Sequence, residues 1–233
     1  MAADPARRSV VAYGGFTVLG PRRYGPPAGE LWELDAGLAW RLHAPDGPRP
    51  RPRHHHAVAF DADRGRFVMY GGIDSTDIWD RDVWEFDRSR WHRLETATGP
   101  GEGAHHAMAY DSRRRRRIVL RGGTRPDKVH PTDTWEWDGS SWRLAATGGP
   151  GPGGGYRMAY DAALEVTVPF GGDTCLWDGT TWTRATTPWA PAARQVHAMP
   201  YDAADRWSCC SAAPSTNRTM ATRGSGTDWR GRR

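Results

Sequence analysis

One pattern recurs along this chain and limits its possible folds more than any other feature. An apolar run ending in aspartate reaches Asp4, Asp61, Asp111, Asp161 and Asp202. A glycine pair follows at Gly14-Gly15, Gly71-Gly72, Gly122-Gly123 and Gly171-Gly172, and then an aromatic run closes on Asp35, Asp87, Asp138 and Asp178. A further tryptophan comes at Trp40, Trp91, Trp142 and Trp182. The period is about 50 residues, shortening to about 40 in the fourth unit, which is the range of propeller blades and related arrays. Such a unit cannot bury both of its apolar faces alone, so neighbouring units must stack.

Each unit reads as four short strands. In the second, these are His56–Phe60, Arg66–Tyr70, Val83–Phe86 and Trp91–Leu94. The Asp-Gly steps in "DGSS" and "DGTT" supply the positive φ of tight hairpins. The glycine pair permits a sharp exit, or a close backbone approach that a Cβ would block. Gly (28), Pro (18) and Trp (13) are abundant, as in short strands joined by turns, and no long window shows helical periodicity. The expected fold is all-β: a propeller of four-stranded blades at approximately 1–46, 47–99, 100–150 and 151–190, with the start of a fifth at 191–206, in a ring that need not close. Stacking places Trp32, Trp84 and Trp135, with the closing Trp40, Trp91, Trp142 and Trp182, between blades. Alanine at Trp84 or Trp135 is then expected to cost roughly 3–5 kcal/mol.

The runs "HAVAFD…VMYGG…DVWEFD…W" and "HAMAYD…VLRGG…DTWEWDGSSW" resemble the kelch-repeat family in its bacterial form, from Met1 to about Arg206. The resemblance implies a propeller, often of about five to seven blades, similar to the central domain of galactose oxidase. It implies no single activity, since kelch propellers include binding scaffolds and a few enzymes. The Tyr, Tyr, His, His and cross-linked Cys set of the copper radical oxidases does not map onto this chain, where Cys175 replaces a blade tryptophan. The Glu-x3-Asp-x3-Cys motif of the iron-using kelch proteins is absent too. No catalytic residue and no cofactor is assigned.

The pattern breaks at both ends. Met1 begins partway along the first inner strand, and the DNA upstream of it decides whether blades or a secretion signal are missing. After Arg206 there is neither glycine pair nor aromatic run. Read one base out of frame, Trp207–Ser211 becomes an apolar run leading to a glycine pair at the usual offset from Asp202. Residues 207–233 are therefore expected to be a frame-shifted, poorly ordered remnant of a fifth blade, which the coding DNA decides. The incomplete ring would expose a sheet edge.

Five arginines and one aspartate lie beyond Trp207, so most of the net charge of +5 sits in that tail. The near-neutral body lacks the basic footprint of a nucleic-acid binder. Three cysteines, including the adjacent Cys209 and Cys210, make no disulfide framework. No apolar run has transmembrane length, and no targeting signal is visible, so a cytoplasmic location without membrane attachment is the default.

His56, His106 and His197 share one phase at the start of the first strand, with Tyr156 in the fourth unit; His54, His55 and His105 lie beside them. As residues of channel-lining strands, His56, His106 and His197 are weak metal candidates, and local hydrogen bonding is the plainer expectation. The basic run Arg113–Arg117 reads as a solvated hairpin tip. The acidic pairs Asp82 with Glu85 and Asp133 with Glu136 read as exposed strand positions. The variable loops between second and third strands emerge on one side and suit recognition. Their partner-binding candidates are Arg22, Arg23, Tyr24, Trp79, Arg81, Arg125 and His130, of types that anchor interfaces or make polar contacts. The expected function is a scaffold for a protein or carbohydrate partner. The alternatives are an enzyme acting on a small molecule at the channel mouth, and a non-functional truncated product.

Overall fold

The structure, a computed structural model, describes residues 1–21, 23–114, 117–149, 155–186, 191–193, 197–199, 201–202, 207–208 and 211–212. Every regular element in them is a β-strand. Blade one is Ala2–Asp4, Ser9–Tyr13, Leu31–Leu34 and Trp40–His43; blade two is Ala57–Asp61, Arg66–Tyr70, Val83–Phe86 and Trp91–Leu94. Blade three is Ala107–Asp111, Arg117–Arg121, Thr134–Trp137 and Trp142–Ala146; blade four is Arg157–Asp161, Val166–Phe170, Cys175–Trp177 and Trp182–Arg184. Within each blade the strands pair antiparallel in chain order, and the inner strands of successive blades pack side by side. The architecture is a four-bladed β-propeller. Beyond it, Tyr201–Asp202 pairs with Trp207–Ser208, and His197–Ala198 with Ser211–Ala212. Cys209, Cys210 and residues 213–233 of the expected tail lie outside the described residues.

Alternation along each strand gives every blade two apolar faces. In blade two, Phe67, Met69, Trp84, Phe86 and Trp91 form the upstream face and pack on Val11, Tyr13 and Leu31 of blade one. Val68, Tyr70 and Val83, with Ala57 and Ala59, form the downstream face and meet Met108, Ile118, Leu120, Trp137 and Trp142 of blade three. Ala107, Ala109 and Val119 then meet Tyr156, Met158 and Trp177 of blade four. The tryptophans are not equally buried, however. Trp84, Trp91, Trp137, Trp142 and Trp177 are buried, Trp32, Trp135 and Trp182 are half-buried, and Trp40 is 49% exposed. Trp135 borders an open cleft against blade two, and beside it the outer strand shifts register between Thr134 and Trp135. At Trp40 the cause is position, since among the described residues no blade covers the upstream face of blade one.

The glycine pairs do admit a close backbone approach. A Cβ on Gly71 (φ 67°) would lie 2.6 Å from the carbonyl oxygen of Gly103 in the lead-in to the next blade. That same carbonyl accepts from Gly72 N at 2.9 Å. Gly171 and Gly172 do not adopt positive φ, and blade four has almost no loop there. The repeated aspartates are turn-makers. Asp61 Oδ1 accepts from the backbone N–H groups of Asp63 and Arg64, and Asp138 Oδ1 from those of Ser140 and Ser141.

An ion cluster closes three of the blades near their outer turns. In blade two, Arg64 bonds Asp61 at 2.7 Å and Glu85 at 2.5 Å, and Trp137 Nε1 of blade three donates to Glu85 at 3.2 Å. In blade three, Arg114 bonds Asp111 at 2.7 Å and also Glu136, and donates to the carbonyl of Gly179 in blade four at 3.2 Å. In blade one, the guanidinium bridging Asp4 and Glu33 comes from the neighbour: it is Arg88 of blade two. Arg88 occupies the turn position held by Gly139 and Gly179 in the next two blades, and does so at φ 76°. A Cβ on Gly139 would lie 2.7 Å from Arg64 Cζ, so a junction takes its guanidinium from one side or the other. Blade four has Leu164 and Leu176 in place of the arginine and the glutamate. These clusters correct two expectations. Glu85 and Glu136 are buried, not exposed strand positions. The basic run is not simply a solvated tip: Arg114 turns inward to this cluster, while Arg113 pairs with Glu165 at 3.1 Å. Arg115 and Arg116 lie outside the described residues.

Acid should loosen this construction over two pH windows. Burial opposes ionisation of Glu33, but hydrogen bonds from Ser9, Arg88 and His43 outweigh it and hold the carboxyl at about 2. A depressed carboxyl stabilises the fold fully above its unfolded pKa of ~4.3 and loses that contribution as pH falls toward the folded value. His56 and His106 are pushed down to about 3, chiefly by burial. Their contribution is complete above the unfolded value of ~6.5 and drains away below it. The melting temperature is therefore expected to be flat from about pH 8 to 7, then to fall in two overlapping stages. His106→Asn should shallow the first stage, and a profile flat down to pH ~4 would contradict this account.

Candidate functional site

The ends of the second strands, the starts of the third and the connections leaving the fourth emerge on one side of the disc. The Tyr70 hydroxyl donates to the Gly101 carbonyl at 2.7 Å, fastening the connection between blades two and three. Burial pushes this hydroxyl's pKa up. Between the two blades lies a cleft of about 380 Å³, walled by Tyr70, Arg81, Trp135 and the Thr96–Gly101 connection. On the other side of Trp135 is a recess of about 10 Å³ bounded by Glu102, His106, Arg125 and Asp133, room for roughly one water. The half-buried indole thus stands between two arginines. Neither Arg81 nor Arg125 forms an ion pair among the described residues, whereas most other arginines of the blades do.

A second group lies toward the axis. The Phe16 ring stacks on His54 at 4.0 Å, His54 Nδ1 is 2.6 Å from His55 Nδ1, and the His55 and His105 rings lie 3.9 Å apart. His55 and His105 hold left-handed backbones (φ 57° and 60°), and His105 N donates to the His55 carbonyl at 2.8 Å. Burial first, then the charges of His105, His54 and Arg157, push His55 down to about 4, so the ring is neutral near pH 7. Among the described residues no carboxylate bonds to His55 or His105, while His54 feels the charges of Asp77 and Asp74 without a hydrogen bond to either.

The other predicted residues are distributed as follows. His56 and His106 do not converge on the axis; each packs in its own blade junction, His56 against Tyr13 and His106 against Tyr70, with its Nδ1 buried and unbonded. The His197 side chain and Arg22 lie outside the described part. Among the described residues no group of three or more His, Cys, Asp or Glu is placed to hold a metal, and no helix is long and apolar enough to cross a membrane. Cys175 is buried. Trp79 approaches Lys128 across blades two and three, with the ammonium 5.4 Å from the ring centre. His130 Nδ1 lies 3.2 Å from Thr124 Oγ1. Trp79, Arg81, Arg125 and His130 therefore belong to one region over blades two and three. Arg23 and Tyr24 belong to the blade-one hairpin, where Tyr24 lies near Phe16. Sequence reading missed Trp135 as a cleft wall, because the repeat pattern does not record how closely two blades pack at one position.

No family model matches the chain, and no curated protein does. Solved structures do. One is that of YjhT, with a TM-score of 0.65 over 84% of this chain and 72% of YjhT, at 10% sequence identity. The two share a fold. At that identity the likeness extends no further.

Proposed function

We propose that the chain is a kelch-like binding scaffold, and that the cleft between blades two and three takes a carbohydrate. The supporting observation is the pairing of the half-buried Trp135 indole with the guanidinium of Arg81, which forms no ion pair among the described residues, in a cleft of about 380 Å³. That is the size of small-molecule sites. An indole face offers an apolar platform to the C–H face of a sugar ring, and the guanidinium supplies fixed donors to its hydroxyls. An enzymatic reading has less support: the histidines that would form a channel site lie in separate junctions or make no hydrogen bond to a carboxylate among the described residues.

A glycan array probed with the full chain, followed by calorimetry on the strongest glycan, tests this. Trp135→Ala and Arg81→Ala are each expected to weaken binding about tenfold or more, the effect of ~1.4 kcal/mol, while leaving the fold intact. Absence of any glycan binding, or binding unchanged in both variants, rejects the reading. The exposed hairpin of blade one favours a second reading, a protein partner: Val18, Leu19 and Tyr24 are more than 60% exposed on it, and clustered apolar exposure marks contact surfaces.

A further inference from the structure

Three interfaces in this molecule are built alike, each from one blade's downstream face and the next blade's upstream face. Blade one also has an upstream face. The cross-strand pairs Val10–Leu34, Ala12–Trp32, Trp32–Leu42 and Leu34–Trp40 define it, with Ala3 opposite Val10. None of these side chains is charged. The polar residues of the same strands point the other way: Glu33 bonds His43 and Arg88, and Arg41 bonds Asp35. Position by position, Leu34 corresponds to Phe86 and Trp137, Trp32 to Trp84, and Trp40 to Trp91 and Trp142. Trp91 and Trp142 are 4% and 5% exposed where Trp40 is 49% exposed, and Phe86 and Trp137 are 0% exposed where Leu34 is half-buried; Leu42 is 54% exposed. This surface has the composition of a blade interface, and among the described residues no blade lies upon it.

The downstream face of blade four is in a different state. Its inner half is covered: Ala159, Val168 and Phe170 are buried. Tyr201–Asp202 and Trp207–Ser208 pack on its inner strand, and Ala193 Cβ lies 3.1 Å from where a Gly172 Cβ would be. Its outer half carries the half-buried Leu176 and the exposed Thr183. Among the described residues, then, each chain offers one apolar blade face with no other blade upon it, exposed at Ala3, Trp40 and Leu42 and half-buried at Val10, Ala12, Trp32 and Leu34.

We infer that this face joins two copies of the chain, blade one against blade one about a two-fold axis. With a single such face per chain, a second copy meets it with the identical surface, and a like-to-like contact closes at two. The absence of charge removes the repulsion that identical charged surfaces would suffer across the axis. Two sheets packed this way stand ~10 Å apart with their side chains interleaved. Four strands ~4.8 Å apart, with about four residues of ~3.3 Å each, give a face of roughly 19 by 13 Å. That is small for a stable interface, so the dimer is one that dissociates on dilution. The inference is independent of the carbohydrate cleft.

Sedimentation velocity on the full chain, from about 1 to 200 µM, tests it in the range where small interfaces dissociate. The unsubstituted chain is expected to pass from monomer to dimer. Trp40→Glu/Leu42→Glu should remain monomeric throughout, and Val18→Glu/Leu19→Glu, on the blade-one hairpin, should dimerise as the unsubstituted chain does. Hydroxyl-radical labelling of Trp40 in the unsubstituted chain should fall as dimer forms, a readout that needs no variant to fold. A chain monomeric at every concentration overturns the inference, whether Trp40 is freely labelled or is protected by another part of its own chain. So does growth beyond the dimer, or a dimer that the Trp40/Leu42 substitutions leave intact.

Discussion

Trp137→Ala is expected to destabilise the fold by about 3–5 kcal/mol, the usual cost of emptying a large buried aromatic site. Trp137 is 0% exposed, lies tilted against Trp142 with ring centres 5.3 Å apart and donates its indole N–H to Glu85. Alanine leaves a cavity between blades two and three and removes a donor from a buried carboxylate, so neither loss offsets the other. For a chain of this length each kcal/mol moves the melting temperature by roughly 2–4 °C, and a drop near 10 °C is expected. Trp135→Ala, two residues away, should cost much less, and Trp40→Ala least of the three. Differential scanning calorimetry on the three proteins checks this order, and equal shifts would mean that the burial differences carry no energetic weight.

Glu85→Ala is the second large effect. It leaves Arg64 with Asp61 alone and Trp137 Nε1 without its acceptor. Breaking one partner of a buried ion pair costs ~3–5 kcal/mol. Because the Arg64 side chain keeps 19% of its surface exposed, solvent screening brings the expected cost just below that range, to about 2–3 kcal/mol. The chain itself shows how the loss can be repaired. Blade four holds Leu164 and Leu176 at the equivalent positions, and Asp161 still receives backbone N–H groups from Ala163 and Leu164. The double substitution Arg64→Leu/Glu85→Leu should therefore return to within about 1 kcal/mol of the original chain, since an apolar replacement avoids desolvating both charges. Urea unfolding of the single and double variants measures the difference. A double variant less stable than Glu85→Ala would show that the cluster is not interchangeable with leucine packing.

The strands of the blades were legible because their cause is local. Period-two alternation, Asp-led turns and glycine pairs each act over a few residues, so Arg66–Tyr70, Val83–Phe86 and Trp91–Leu94 can be read directly from the sequence. The ion clusters were not legible, since Glu85 and Arg64 stand 21 positions apart and meet only once the sheet has formed. An acidic residue alternating with aromatics reads as a solvent-facing position, yet in a blade both faces are covered. The same limit applied to His56 and His106. Their shared phase was visible, but not that each ring would seat itself in a separate junction. Within the candidate site, Arg81 and Trp79 were legible as loop residues of suitable type. The role of Trp135 depended on a gap between two blades, which side-chain patterns along one strand do not record.

The position of Arg88 bears on how an array like this can lengthen. A tandem copy of blade two, inserted behind the original, would bring Arg88 of the copy into the junction that Arg64 already fills, two cations competing for one pair of carboxylates. A tandem copy of blade three would instead set Gly139 opposite Arg114, the same fit that Gly179 provides now. Blade three placed directly behind blade one would leave Asp4 and Glu33 with no cation, because Arg7, the local counterpart of Arg64, is exposed. Units that look interchangeable as repeats are therefore ranked by which neighbours they tolerate, and duplication of the third is the least obstructed of these routes to a longer ring.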